Sequence, residues 1–152
     1  MEYEKEKKNG ALTYVNLSSL TALQKNKRRL QWRFDQTGIP ISYRRSWCER
    51  YGYLADNLAT IRHEGEAMAP LLECGGSITI DLSDTELTSG NVYAIDYLGM
   101  LFIRRLFWES DGTIQVLAEN PDKKTHPDWY LRPEDRHALH ILGRVVQRQA
   151  NL

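Results

Sequence analysis

Two cysteines, Cys48 and Cys74, are the whole thiol content of these 152 residues. Neither has a second Cys or a His at metal-ligand spacing, which excludes a disulfide scaffold and argues against a zinc site. Two small, buried or half-buried thiols of a reducing compartment are expected instead. His63, His126, His137 and His140 are scattered, so the chain is expected to hold no metal and no cofactor. Long apolar runs are missing as well. The longest, such as 98–103 with Gly99 inside it, fall far short of the roughly 20 residues that span a bilayer. The first ten residues carry charge with no apolar stretch behind them, unlike a secretory signal. A cytoplasmic protein without membrane contact is the expectation. No internal repeat and no low-complexity segment is present.

Net charge is also absent, with 20 Lys+Arg against 20 Asp+Glu. This excludes a uniformly basic nucleic-acid binder and a self-repelling disordered chain. The balance hides a division, however. Residues 1–50 hold eleven basic and five acidic side chains, and residues 51–152 hold nine and fifteen. A basic front end precedes an acidic body, and the length and apolar content suit one domain with a short appendage.

Residues 1–14 read as a flexible tail and 15–45 as a basic N-terminal arm or linker. Within the arm, Leu17, Leu20, Leu23, Leu30 and Phe34 approximate one helical face, which Ser18 or Ser19 would cap and Gly38 with Pro40 would end. Helix and extended arm both remain open. Lys25, Lys27, Arg28, Arg29 and Arg33 are the candidates for contact with nucleic acid, although the chain has no further helices with which to build a helix-turn-helix. Residues 46–58 suggest a short helix with a capping box, Ser46 at its start, Glu49 three residues on and Gly52 at its end. Beyond it, residues 77–81, 91–96, 100–108, 113–117 and 140–147 read as strands separated by turn signals at Ser89-Gly90 and at Ser110-Asp111-Gly112. The expected fold is mainly β, with residues 46–150 as its domain. Trp47, Trp108, Trp129 and Tyr130 are expected in core or dimer contacts, and residues 122–127 in a solvated loop.

Several segments, taken in order, resemble one family. Gly65-Glu66-Ala67-Met68-Ala69-Pro70-Leu71-Leu72 leads to Gly75-Gly76 and to a strand ending in Asp81. Gly90, residues 92–95, Gly99 and Ile103-Arg104-Arg105-Leu106 follow. Then come Gly112, residues 114–117, Glu119-Asn120-Pro121, and Gly143-Arg144-Val145-Val146. This succession resembles the carboxy-terminal domain of LexA, of the phage CI-type repressors and of UmuD, the self-cleaving Ser-Lys peptidases. The likeness covers about residues 40–148 and implies a LexA/signal-peptidase-like β domain with a short helix and an N-terminal arm.

In that family a serine hydroxyl attacks a peptide carbonyl while a lysine kept neutral by burial takes its proton. The resemblance puts Ala67 at the nucleophile position and Arg104 at the base position. A methyl group has no lone pair for attack, and a guanidinium stays protonated well above neutral pH. The family's scissile Ala-Gly is missing from residues 11–46. A pseudo-peptidase is therefore expected, with Gly65, Glu66, Met68, Pro70, Asn120 and Pro121 lining a relict groove. Arg104 needs a charge partner there, for which Glu66 and Asp96 are the candidates. An engineered replacement of the nucleophile accounts for Ala67, but not for Arg104 or the missing dipeptide.

Without cleavage, the resemblance implies dimerisation and regulation: a non-cleavable repressor domain of phage or mobile-element origin, uncoupled from DNA-damage (SOS) signalling. It would act as a homodimer and reach DNA through a head domain not found in this chain, or weakly through the basic arm. Induction would use an antirepressor or another protein partner. The alternatives are a stand-alone UmuD-like accessory factor that binds other proteins, and an active peptidase trapped by mutation.

Overall fold

Alternating and near-continuous apolar segments of the acidic body become the central strands. The computed structural model describes residues 14–26, 29–34 and 41–149. Its strands are β1 (Tyr14–Asn26), β2 (Arg29–Phe34), β3 (Ile41–Arg44), β4 (Leu58–Arg62), β5 (Ser77–Asp81), β6 (Val92–Tyr97), β7 (Met100–Trp108), β8 (Ile114–Leu117), β9 (Trp129–Leu131) and β10 (Leu139–Arg148). One helix, α1 (Arg45–Tyr51), and two 3-10 turns, Ala55–Asn57 and Pro133–Ala138, complete the described elements. The sheet runs β2-β1-β4-β5-β10-β6-β7-β8-β9, and β3 pairs with β1. The expectation of a mainly β domain holds.

Strand β6 shows why its sequence is almost wholly apolar. Its first five residues are buried, and its side chains alternate between two cores. Val92 and Ala94 join Ile61, Met68, Ile78, Ile80 and Ile103, while Tyr93 and Ile95 join Leu106, Ile114, Val116 and Leu131. The two-residue period of a strand covered on both faces produces this sorting. Tyr93 is fully buried, yet its hydroxyl is satisfied: it accepts from the Thr88 amide at 2.8 Å and donates to the Glu86 carbonyl at 3.0 Å. Tyr93→Phe removes both bonds and leaves the Thr88 amide without this acceptor. The expected loss is about 1–3 kcal/mol, read as a lower urea midpoint at unchanged slope; an unchanged midpoint would show that water replaces the hydroxyl.

The N-terminal segment differs most from the open helix-or-arm reading. It forms strands, because its partners lie far away in sequence. β1 pairs antiparallel with β2 from Leu20↔Phe34 to Asn26↔Arg29, antiparallel with β3, and in parallel with β4 at Ser18↔Ala59 to Leu20↔Ile61. The leucine spacing that approximates a helical face therefore yields to sheet pairing. Trp32 packs against the first core, and the Leu30 amide donates to the carboxylate of the fully buried Asp96 at 2.9 Å. The described strands β1, β2 and β3 are thus joined to the body through the pairing of β1 with β4. The expected tail falls almost wholly outside the described residues, as do Lys27, Arg28, Gly38 and Pro40.

The capping box does not form. The residue preceding α1 is Arg44, without a side-chain cap, whereas Gly52 ends the helix in the left-handed conformation as expected, its amide bonding to the helix carbonyls. The aromatic residues divide. Trp47 stacks on Tyr43 with centroids 4.4 Å apart, and Trp129 packs on Tyr97 and Phe102. Trp108 and Tyr130 remain exposed.

Candidate functional site

Strand β4 runs out at Arg62 into a tight loop that the sequence marks with Gly65. Gly65 has φ +85, a conformation costly for a side chain with a Cβ, and the space beside it is open. The loop then turns inward. Met68 is completely buried in the first core and Leu72 joins it, so these two apolar anchors hold the turn against the sheet. From the other side, the loop after β8 ties it down: the Asn120 side-chain amide donates to the Glu66 carbonyl at 2.8 Å, and the Asn120 backbone amide donates to the Ala67 carbonyl at 3.0 Å.

Between this loop and β7 lies a groove of about 330 Å³. Ala67 and Arg104, 37 residues apart in sequence, both line it, together with His63, Glu66, Phe102 and His126. Of the residues expected to form the groove, Gly65 and Glu66 line it. Met68 does not, because it serves the core, and Pro70 and Pro121 are exposed elsewhere on the loops. Asn120 braces the groove from behind. Nothing is described of the side chains of Lys25, Arg29 and Arg33, whose backbones lie in β1 and β2.

Neither expected partner pairs with Arg104. Asp96 is occupied by the amides of Gly99 and Leu30, each at 2.9 Å, and the ion pairs of the described residues involve neither Glu66 nor Arg104. Arg104 donates from Nη1 to the Ile103 carbonyl at 2.8 Å and lies over the Phe102 ring at 5.3 Å, while its Nε is buried without an acceptor. Burial lowers its pKa, and the more distant charge of Asp128 only partly offsets this. Even so, a guanidinium remains charged at neutral pH. Arg105, its neighbour, donates instead to the Glu119 carboxylate and the Gly90 carbonyl.

His63 is the groove residue that sequence reasoning misses. It is 3% exposed, and both ring nitrogens are buried without partners. Its position two residues before Gly65 is the available signal. Burial first, and the Arg104 charge second, hold its pKa below the ordinary value, while Glu64 and Glu66 pull the other way. With the folded value below the unfolded one, the unfolded chain takes up the proton first. Stability is therefore complete above the unfolded value of about 6.5 and is lost as pH falls from there through the folded value. His63→Leu is expected to flatten the fall in urea midpoint between pH 7.5 and pH 5; equal slopes in both proteins would contradict the assignment.

Among the described residues ten strands thus form one sheet, with this loop laid against β7 to make the groove, and the sequence comparison identifies the family. A profile of the Peptidase S24-like family matches residues 28–146, and the chain belongs to that family. It is 31% identical over 77 residues to the HTH-type transcriptional regulator PrtR of Pseudomonas aeruginosa, covering 51% of this chain and 29% of that protein. It is 28% identical over 95 residues to an HTH-type transcriptional regulator of Haemophilus influenzae, and 25% identical over 95 residues to the 26 kDa repressor protein of Escherichia phage HK022. These matches cover 62% of this chain and 38% and 39% of the two relatives. The chain thus spans between a quarter and two fifths of the length of these curated relatives. Among the described residues no helix is long and apolar enough to cross a membrane, and no group of His, Cys, Asp and Glu is arranged to hold a metal.

Proposed function

We propose that this chain is the regulatory and dimerising domain of a repressor-type transcriptional regulator, and that it does not cleave itself. The observation that carries this reading is the meeting of Ala67 and Arg104 on one groove. The family chemistry needs a hydroxyl and a neutral amine at the two positions, and this chain offers a methyl group and a permanent cation. The relatives named as HTH-type regulators and a phage repressor supply the regulatory context. In such a protein the domain joins two DNA-binding heads, so that two half-sites are held together and affinity rises by linkage. With cleavage removed, release from the operator would come through a bound antirepressor or a ligand.

Multi-angle light scattering of the purified chain tests the dimerising part. A mass of about twice 17.6 kDa at micromolar concentration is expected. A monomer up to millimolar concentration would instead favour a stand-alone accessory factor that works by binding other proteins.

A further inference from the structure

We propose that the groove is a binding site for a carboxylate, with Arg104 as its recognising cation. This rests on the reading that the groove no longer cleaves, and is independent of dimerisation. Arg104 lines a groove of about 330 Å³ and remains partly exposed, but among the described residues no carboxylate lies within ion-pair distance of it. Asp128, the acidic group that acts on it at longer range, is already bonded to Lys123 and to the Ala118 amide. A half-desolvated cation without a counter-ion is costly, and an incoming anion offsets that cost.

Two further observations favour an occupant. Arg104 Nε and both nitrogens of His63, which is more than nine-tenths buried, have no hydrogen-bond partner, although native structures leave few buried polar groups unsatisfied. Both residues belong to the wall of the same groove. Beside them, the position of Ala67 carries only a methyl group, and no atom lies within 4 Å of where a Cβ on Gly65 would stand. A planar group with two acceptor oxygens suits this set: guanidinium takes a carboxylate in a fork, and a carboxylate is flat enough to slide between the loop and β7. Glu64 and Glu66, both exposed, line the same groove and repel any anion alike, so shape rather than charge separates a flat carboxylate from tetrahedral phosphate. The carboxylate can belong to a small organic acid or to an acidic residue of a peptide, such as one presented by an antirepressor.

The test is a titration of the 152-residue protein, followed by amide chemical shifts, with succinate, with Ac-Ala-Glu-Ala-NH2, with Ac-Ala-Gln-Ala-NH2 and with inorganic phosphate. The expected result is saturable shifts at Gly65, Ala67 and Arg104 with succinate, with the Glu peptide or with both. The Gln peptide and phosphate should bind at least tenfold more weakly. Saturation by succinate alone identifies a small acid as the source, and saturation by the Glu peptide alone identifies a peptide. Arg104→Gln should lose at least tenfold in affinity and Arg104→Lys should recover part of it, with the remaining amide spectrum reporting that each variant is folded. Equal binding of the Glu and Gln peptides, equal binding by phosphate, no binding of any probe, or undiminished binding in a folded Arg104→Gln protein each overturns the proposal. Mass spectrometry of the peptides after incubation reads the other question separately: intact peptides together with no binding of any probe sink the carboxylate site alone, whereas cleaved peptides sink the non-cleaving reading.

Discussion

Ala67→Ser combined with Arg104→Lys is expected to make the groove reactive toward a fluorophosphonate probe at alkaline pH, while the parent and both single variants stay inert. A serine at position 67 alone would face a guanidinium that cannot accept its proton, and a lysine at position 104 alone would have no hydroxyl to activate. Together they restore both halves. The burial that already depresses the pKa of Arg104 would act on a lysine ammonium in the same direction, toward the neutral amine that serves as a general base. General-base assistance is worth about 10² to 10⁴ in rate, so labelling of the double variant should exceed that of Ala67→Ser by at least about a hundredfold. Labelling of Ala67→Ser alone at the rate of the double variant would show that another group, with His63 the first suspect, accepts the proton. The outcome concerns the groove alone; an Ala-Gly scissile segment is missing from residues 11–46 in every variant.

The second large effect concerns the fold. A Cβ placed on Gly143 would stand 2.6 Å from the Asp81 carbonyl oxygen and 3.1 Å from its carbon. Both are backbone atoms of the neighbouring strand β5 and cannot swing aside. Gly143 lies where β10 crosses between β5 and β6, and its pairing with β6 is irregular between Ile141 and Gly143. The glycine allows the two backbones to approach there. Gly143→Ala is therefore expected to cost at least the roughly 1–3 kcal/mol typical of overpacking, or to part β10 from β5. Gly65→Ala is the natural comparison, since its cost is that of a left-handed conformation in open space, about 1–2 kcal/mol. Thermal unfolding should rank Gly143→Ala well below Gly65→Ala. A reversed order would mean that β10 slips to accommodate the methyl at little cost.

Local pattern makes the body legible. Strands β5 and β7 occupy the residues that alternation and turn signals assign, and β6, β8 and β10 differ at their ends by a residue or two. Their partners follow one another closely along the chain, apart from β10, so that local signals and sheet pairing agree. The arm is legible only in part. Leu17, Leu20 and Leu23 fit a helical period, and the decision for strand comes from β4, to which β1 pairs across 41 residues of sequence, as at Ser18↔Ala59. The short helix forms where the sequence places it but its expected cap does not, because the chain enters from strand β3 at Arg44 and leaves Ser46 inside the helix.

The candidate site divides in the same way. Ala67 and Arg104 are found through the order of motifs around them, and their chemistry follows from side-chain identity. Met68 sits in the same motif and is expected in the groove with them, but the turn aims it inward as a core anchor. His63 carries no motif and emerges only when β4 and β7 bring it beside Arg104. The expected pairing of Arg104 with Asp96 fails because Asp96 accepts from Gly99 and from β2, a strand the sequence leaves undecided.

By itself, then, the sequence determined the mainly β body, the division of charge at residue 50, and the methyl of Ala67 and guanidinium of Arg104 at the two positions that the resemblance aligns with a hydroxyl and an amine. These are properties of residue types and near neighbours. Only the tertiary structure decided that the basic front end enters the sheet as β1 and β2 and bonds to the acidic body at Asp96, and that Arg104 faces an open groove without a counter-ion among the described residues. Those facts depend on contacts between segments dozens of residues apart, where pairing geometry and competition for hydrogen bonds decide and local pattern does not.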